Sequence, residues 1–227
     1  MLYGFYGMSY WIYILPGLLL AMYAQSKISS AYNKYLKISS ETNYTGADVA
    51  RKILQDHGIY DVEIRQIAGQ LTDHYDPRNK TLNLSREVYQ SNSVASLSIA
   101  AHEVGHAIQD AVDYRPLKIR ASLVPLANIG TQLSFTLIIL GAFFSVALTQ
   151  IGIALFFFAV LFQIVTLPVE IDASKRAHLA LSQGILPPDK LKGTQEVLSA
   201  AALTYIASTL MAIGQFVRLL DIFGRRR

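Results

Sequence analysis

The chain has 227 residues, enough for one or two domains, and its composition of 52% hydrophobic but only 16% charged residues, against about 25% charged residues in a typical soluble domain, favours a membrane protein. Its formal net charge is +4, but it has no arginine-rich stripe with interleaved aromatic residues, so the basic residues give little support to nucleic-acid binding. The absence of cysteine excludes disulfides and thiolate chemistry, so any metal must be held by histidine and carboxylate side chains.

The first predicted element is a transmembrane helix over residues 1–26, which contain no charged side chain. Its apolar centre, Tyr10–Tyr23, is flanked by aromatic residues of the kind that lie at the two interfaces of a bilayer. They are Tyr3, Phe5, Tyr6, Tyr10, Trp11 and Tyr23. A signal peptide is the alternative, but a signal peptide begins with a basic region that this sequence lacks. We therefore expect an uncleaved span.

Residues 27–120 form the one extended polar region and predict a small α+β block. Thr45 is suited to cap a helix over Ala47–Asp56, which Gly58 would end. Beyond this helix, the alternation that begins at Val62 is typical of a short strand. A block of this size folds alone only marginally, so we expect it to dock on the membrane helices.

Two further strands are predicted at Gln70–Tyr75 and Thr81–Leu84, joined by the turn-forming run Asp76-Pro-Arg-Asn-Lys. We expect the strand Thr81–Leu84 to offer an edge to which an extended peptide substrate could pair. His74, near the end of the first strand, is a candidate to bind substrate backbone or an oxyanion, with a purely structural role as the alternative. His57 follows a polar helix and is expected to be solvated.

A helix predicted over Ser93–Val112, from apolar residues spaced three and four apart, contains the run His102-Glu103-Val104-Gly105-His106. Because residues i and i+4 lie one above the other on a helix, both imidazoles can reach one tetrahedral zinc ion. Glu103 then lies beside the metal, where it can act as the general base that takes a proton from metal-bound water. The spacing therefore predicts a catalytic zinc site.

The surroundings of this motif indicate a buried helix. Apolar residues flank it on both sides, so its charged side chains need partners. Gly105 stands in mid-helix, where glycine costs about 1 kcal/mol relative to alanine. We therefore expect a substrate or a neighbouring helix to approach closely at Gly105.

A transmembrane hairpin is predicted over residues 121–169, which contain no acidic or basic residue and are too many for one span of about 20 residues. The expected spans are Gly130–Leu148 and Ile151–Leu167, with the turn near Thr149, Gln150 and Gly152. A buried helical pair of a soluble protein is the alternative. The run IALFFFAVLF, which is apolar on every side, argues against that alternative.

A catalytic zinc needs a third protein ligand beside an open position, and Glu170 is the first candidate. It ends the uncharged run, at a depth where a carboxylate is costly and should have a function. Asp172 is the alternative, but residues two apart point to roughly opposite sides of a helix, so only one of the two can face the metal. An interfacial ion pair with Lys175 or Arg176 is the structural alternative for Glu170, and His178 is a weaker candidate ligand.

The distribution of lysine and arginine predicts the orientation in the membrane. Twelve lie within residues 27–120 and none within residues 1–26, so the positive-inside rule puts 27–120 and the polar segment 170–196 in the cytoplasm. Residues 197–227 contain a fourth apolar helix and a basic tail, and this helix could span the membrane or pack against the others. If all four segments cross, Arg225–Arg227 end outside, against the rule, so the sequence leaves the fourth segment open.

Three runs stand out in the sequence: LTDHYDPRNKTLNLS, HEVGHAIQD and LPVEIDASKRA. In this combination they resemble the YugP-like family of neutral zinc metallopeptidases of bacterial membranes. The resemblance implies a zinc peptidase whose catalytic block faces the cytoplasm, with His102, Glu103, His106 and Glu170 at its site. Membrane peptidases of the HtpX and prenyl-protease type, to which the family is similar in layout, place an aspartate four residues after the ligand glutamate. Here that position is Ser174.

The sequence thus predicts a mainly α membrane protein with three to four transmembrane helices and a small α+β, zincin-like catalytic block. The expected function is that of a gluzincin-like zinc metalloendopeptidase with a Zn2+ cofactor, acting on membrane or juxtamembrane peptides at the cytoplasmic side of the cell membrane. Lipid is an expected partner and nucleic acid is not. The alternatives are an inactive zinc-binding scaffold and a metal or proton transporter, although a transporter would need polar residues deep in its spans, where the hairpin has only neutral ones.

Overall fold

A computed structural model describes the backbone of residues 2–224 and the side chains of residues 11–223. The elements follow in the order α1 (Leu2–Leu36), α2 (Gly46–Asp56), β1 (Glu63–Ile67), β2 (His74–Asp76), β3 (Thr81–Ser85), α3 (Arg86–Gln90), α4 (Val94–Ala111), α5 (Arg115–Phe144), α6 (Val146–Ser182) and α7 (Pro188–Gly224). The predictions for the side chains of Tyr3, Phe5, Tyr6 and Tyr10 and for the tail Arg225–Arg227 lie outside this described part. Within it the chain is mostly helical, as predicted.

The chain divides into two compact units. The first, here called the helical unit, comprises the residues up to Gln25, Lys118–Pro168 and the residues from Thr204 onward. The second, here called the mixed unit, comprises Ser26–Leu117 and Val169–Leu203. The sheet and the histidine motif belong to the mixed unit.

Among the described residues, three helices are long and apolar enough to cross a membrane: α5, α6 and α7. Two of them are the arms of the predicted hairpin, and the third contains the apolar segment that the sequence left open. The predicted first span lies within α1, a continuous helix from Leu2 to Leu36. The expectation of a mainly helical protein is therefore confirmed, with three candidate membrane spans.

The turn of the hairpin lies earlier in the chain than predicted. Helix α5 ends at Phe144 and α6 begins at Val146, so Thr149 and Gly152 are helical rather than part of a turn. Both residues pack the hairpin instead: a Cβ on Gly141 would lie 2.3 Å from the Thr149 backbone nitrogen, and one on Gly152 would lie 2.8 Å from the Ser134 carbonyl oxygen. Small residues thus let the two backbones approach closely, as is common between membrane helices.

Helices α2 and α4 begin where the sequence predicts. The Thr45 hydroxyl accepts a hydrogen bond from the Asp48 backbone nitrogen at 3.2 Å, while Asp48 accepts one from the Thr45 backbone nitrogen at 3.0 Å. This reciprocal pair is a capping box. Gly58 follows the helix end with a φ of 69°, which glycine adopts without a steric cost. Ser93 caps α4 by accepting from the Ser96 backbone nitrogen at 3.1 Å.

The sheet corrects two expectations. Its strand order is β1-β3-β2, with β1 parallel and β2 antiparallel to β3. The strand Thr81–Ser85 is therefore central and cannot offer the free edge that was expected for peptide pairing. The edge strands are β1 and β2. The strand predicted over Gln70–Tyr75 is reduced to His74–Asp76, because Gly69 and Leu71 both have positive φ and turn the chain before it.

Candidate metal centre

Helix α4 presents the two histidines of the motif on one face. The rings of His102 and His106 are 4.9 Å apart between centroids and nearly perpendicular. Each side chain retains 12% of its surface exposed. The i, i+4 spacing thus produces the side-by-side pair of imidazoles that the sequence predicts.

Glu170, on α6, meets both imidazoles. Its Oε2 lies 3.3 Å from the His102 Nε2 and 3.5 Å from the His106 Nε2, and only 3% of its side chain is exposed. Among the described residues, these three side chains are the only cluster of at least three histidine, aspartate or glutamate residues that could hold a metal ion, with their ligand atoms all within 4.8 Å of one another.

The spacing and the chemistry of this cluster fit zinc. A tetrahedral zinc ion with bonds of about 2.0–2.2 Å keeps its ligand atoms about 3.3 Å apart. The separations between Glu170 and the two histidines are close to that value. Two imidazoles and one carboxylate are also the ligand set that catalytic zinc sites of the two-histidine, one-glutamate type use.

Asp172 turns away from this cluster. Its Oδ2 accepts from the Gln109 Nε2 at 2.9 Å and from the Arg176 Nε at 2.6 Å. Glu170 and Asp172 therefore point to different surroundings, as the spacing of two residues on one helix requires. The structure brings Glu170 and not Asp172 to the histidines, and His178 is not part of the cluster.

The second nitrogen of each histidine also has a polar partner. The Ser174 hydroxyl lies 3.2 Å from the His102 Nδ1, and the Gln109 Oε1 lies 3.0 Å from the His106 Nδ1. Contacts of this kind orient the ring of a metal ligand. A hydroxyl thus contacts His102 from Ser174, the position at which peptidases of the HtpX and prenyl-protease type place an aspartate.

The carboxylates around His106 change its affinity for protons. Burial by itself would lower the pKa of His106, but the hydrogen bond with Glu170 and the negative charges of Glu103 and Glu170 raise that pKa above its usual value. Protons would therefore compete with a metal ion for His106, so metal binding should weaken as the pH falls.

Glu103 lies under the edge strand β2. It is 8% exposed, and its Oε2 accepts a hydrogen bond from the Tyr75 backbone nitrogen at 3.1 Å. The Tyr75 hydroxyl in turn donates to the Asp110 Oδ2 at 2.9 Å, and burial together with this bond raises the pKa of Tyr75. Glu103 is therefore held in place by β2, and β2 is held in place by α4.

Gly105 is where α4 meets α6. A Cβ at Gly105 would lie 2.6 Å from the Ala173 carbonyl oxygen and 3.0 Å from the Ala173 Cα, both backbone atoms of α6. The close neighbour that the sequence predicts at Gly105 is thus a helix. Gly105 lies between the two histidines on α4, and Ala173 lies three residues after Glu170 on α6. Their contact therefore sets the distance between the two helices that carry the candidate ligands.

The remaining histidines lie outside the cluster. His57 is exposed, as predicted. His74 is also exposed; its Nδ1 lies 2.8 Å from the Thr72 carbonyl oxygen and its Nε2 lies 3.3 Å from the Asn83 Nδ2. It is part of β2, next to the residue that contacts Glu103, so a role in substrate binding stays a prediction.

Two contacts of the centre escape the sequence analysis. Gln109 follows His106 by three residues on the same helix, a spacing that could have indicated its contact with His106. The contact of Tyr75 with Glu103 has no such signal, because it depends on how β2 packs against α4.

Comparison with known proteins identifies relatives of this chain. A profile of the family described as “Putative neutral zinc metallopeptidase” matches residues 10–224. The chain is 41% identical over 206 residues to the “Putative membrane protease YugP” of Bacillus subtilis (strain 168), an alignment that covers 90% of this chain and 92% of that protein. No solved structure matches. The resemblance predicted from the three sequence runs is confirmed.

The contact at Gly105 allows a prediction in which two effects oppose each other. Helix propensity alone would make Gly105→Ala more stable by about 1 kcal/mol. The added methyl group would, however, meet the Ala173 backbone, and overpacking of this kind costs about 1–3 kcal/mol. We expect a lower unfolding temperature and weaker zinc binding than in the wild type. A variant that is more stable and binds zinc normally would show that the helices need no such approach.

A second prediction concerns the two carboxylates of α6. Glu170→Gln removes the carboxylate that contacts both histidines and should weaken zinc binding strongly. Asp172→Asn should lose less zinc affinity, because Asp172 acts on the site only through Gln109. The loss could still be about tenfold or more, as is typical for residues that hold a metal ligand in place. Zinc affinities of both variants, measured in one chelator titration, test this order. A larger loss for Asp172→Asn would reverse the assignment.

Proposed function

The chain belongs to the neutral zinc metallopeptidase family, and from that premise we propose that it is a membrane-embedded zinc metalloendopeptidase with His102, His106 and Glu170 as its zinc ligands. The observation that carries the proposal is the buried cluster of these three side chains, with ligand atoms within 4.8 Å of one another. Glu103, the neighbour of His102 in the chain, supplies the carboxylate that hydrolysis needs.

When bound, a zinc ion supplies a Lewis acid that lowers the pKa of a water molecule and polarises the substrate carbonyl. Glu103 accepts the proton of the attacking water as general base and then passes it to the leaving amine. Its burial and its bond to the Tyr75 N–H keep the carboxylate in one position, so that little reorganisation precedes the proton transfer. This division of roles is gluzincin-like, in a zincin-like α+β block.

We expect substrates to bind as an extended chain along β2. This strand is an edge of the sheet, and Tyr75 directs its N–H to Glu103 rather than to β3, so the free edge of β2 faces the catalytic carboxylate. Main-chain pairing with an edge strand provides affinity without requiring a particular sequence. His74, on the same strand, is placed to contact such a peptide.

The substrates we propose are membrane proteins or their juxtamembrane segments. Glu170 directly follows the uncharged run 121–169, so a zinc ion at this residue would lie close to the depth at which the chain leaves the bilayer. The excess of lysine and arginine in residues 27–120 supports a cytoplasmic location of the catalytic block and of the segment 170–196.

The role of Glu103 is tested by Glu103→Gln, which keeps the size of the side chain but removes the base. The variant should fold, retain zinc and cleave a membrane-tethered peptide library at least about a hundredfold more slowly, as expected when general-base help is lost. Glu63→Gln, on the exposed strand β1, is the matched control and should cleave at the wild-type rate. Unchanged cleavage by zinc-loaded Glu103→Gln would exclude this mechanism and favour another base.

Cleavage by the wild-type protein and substrate retention by Glu103→Gln together distinguish the enzyme from a zinc-binding scaffold. A scaffold would show no zinc-dependent cleavage in the wild-type protein either. An inactive enzyme variant that still binds peptide should, in contrast, retain substrates long enough for crosslinking and identification.

The orientation is tested with Asn79→Cys, since the natural chain has no cysteine and position 79 is exposed. An impermeant thiol reagent should label this position only after the cells are permeabilised. Labelling in intact cells would place the catalytic block outside and would overturn the proposed topology.

A further inference from the structure

Gln109 is a fully buried side chain whose amide oxygen and nitrogen both have partners beside the metal centre. It has no exposed surface. Its Oε1 lies 3.0 Å from the His106 Nδ1, and its Nε2 donates to the Val169 carbonyl oxygen at 2.8 Å and to the Asp172 Oδ2 at 2.9 Å. An amide nitrogen has two hydrogens to donate, and both are used here.

These partners determine which way the amide points. A backbone carbonyl and a carboxylate only accept hydrogen bonds, so the nitrogen of Gln109 must face Val169 and Asp172. The opposite orientation would set the amide oxygen against two acceptors at less than 3 Å. The Gln109 oxygen therefore faces His106 and can only accept from it.

The orientation of Gln109 in turn bears on the tautomer of His106. Because the amide oxygen accepts, it favours the neutral imidazole that carries its hydrogen on the His106 Nδ1. The Glu170 carboxylate, 3.5 Å from the His106 Nε2, favours the other tautomer, so the two acceptors compete in the metal-free protein. A metal ligand needs the lone pair of Nε2, and Gln109 favours the tautomer that offers it. His102 differs, since the Ser174 hydroxyl at its Nδ1 can donate or accept and does not select a tautomer.

Gln109 also links the two elements that carry the candidate ligands. It belongs to α4, while its two acceptors, Val169 and Asp172, lie on either side of Glu170 on α6. Asp172 is itself held by Arg176 at 2.6 Å, and the Arg176 guanidinium lies 5.9 Å from the centre of the Tyr114 ring. Loss of Gln109 would thus affect the orientation of His106 and the position of Glu170 together.

We propose that Gln109 is a positioning residue of the metal centre, which favours the metal-binding tautomer of His106 and anchors the segment of α6 that carries Glu170. The proposal rests on the proposed zinc site, but the tautomer of His106 is a property of the metal-free protein as well. Partners of metal ligands in this position typically contribute a factor of about 10–100 to metal affinity.

The test is Gln109→Met, a substitution of similar volume that removes both the acceptor and the donors. The full-length protein in detergent should bind zinc about 10–100-fold more weakly than the wild type in a chelator titration. Ser174→Ala is the matched control at the other histidine, and it should lose less affinity because its hydroxyl does not select a tautomer. Equal affinity in Gln109→Met and the wild type would overturn the proposal.

A measurement without metal separates positioning from general stability. Nitrogen NMR of the histidine rings in zinc-free protein, at alkaline pH where the imidazoles are neutral, reports the tautomer; His106→Ala identifies the signal. We expect a larger fraction of the Nδ1–H form in the wild type than in Gln109→Met, where the Glu170 carboxylate is left to select the Nε2–H form. The same fraction in the two proteins, or a larger one in Gln109→Met, would contradict the proposal.

Two outcomes keep this proposal distinct from the proposed function. If the wild type bound no zinc, the metal centre would be wrong, while the NMR result would still decide what Gln109 does to His106. If Gln109→Met failed to fold, Asp172→Asn would test the link from its other end, because that side chain is 27% exposed and tolerates change more easily. Asp172→Asn should then weaken zinc binding by less than Glu170→Gln, and wild-type affinity would count against the link.

Discussion

The backbone contact between α4 and α6 is the constraint on which the candidate metal centre depends. The two histidines come from one helix and the carboxylate from the other, and the separations of about 3.3–3.5 Å between their ligand atoms require the helices to approach closely. Gly105 allows this approach because any side chain there would meet the backbone of Ala173. Glycine has a lower helix propensity than alanine at this position, but its lack of a side chain lets Glu170 reach both imidazoles.

A buried carboxylate such as Glu170 is costly unless it is paired, and its surroundings are arranged around that cost. The two imidazoles meet it directly, while Gln109 and Ser174 hold the far sides of those imidazoles. Asp172, which accepts from Gln109, also forms an ion pair with Arg176 on α6. The polar groups thus extend outward from Glu170 in successive layers, each of which restricts the one before it.

The parts of this arrangement that depend on local spacing could be predicted from the sequence, and those that depend on packing could not. The i, i+4 histidines, the caps at Thr45 and Ser93 and the close approach at Gly105 all follow from rules that act within a few residues. The strand order of the sheet could not be predicted, because nothing in the sequence of Thr81–Leu84 shows that other strands flank it on both sides. The hairpin turn was misplaced because Gly152 was interpreted as a turn residue, whereas it is a contact point between two helices.

The packing of β2 against Glu103 has a consequence for how a peptide could bind. In an antiparallel pair, alternate residues direct their backbone groups away from the partner strand, and Tyr75 is such a residue, since its N–H goes to Glu103. That donor is therefore already used when the carboxylate is in place. A peptide that paired along β2 would have to use the remaining groups of the strand or take the N–H from Glu103. The second case would remove the hydrogen bond that holds Glu103 in position, so pairing through the remaining groups of the strand is the mode that agrees with a fixed general base.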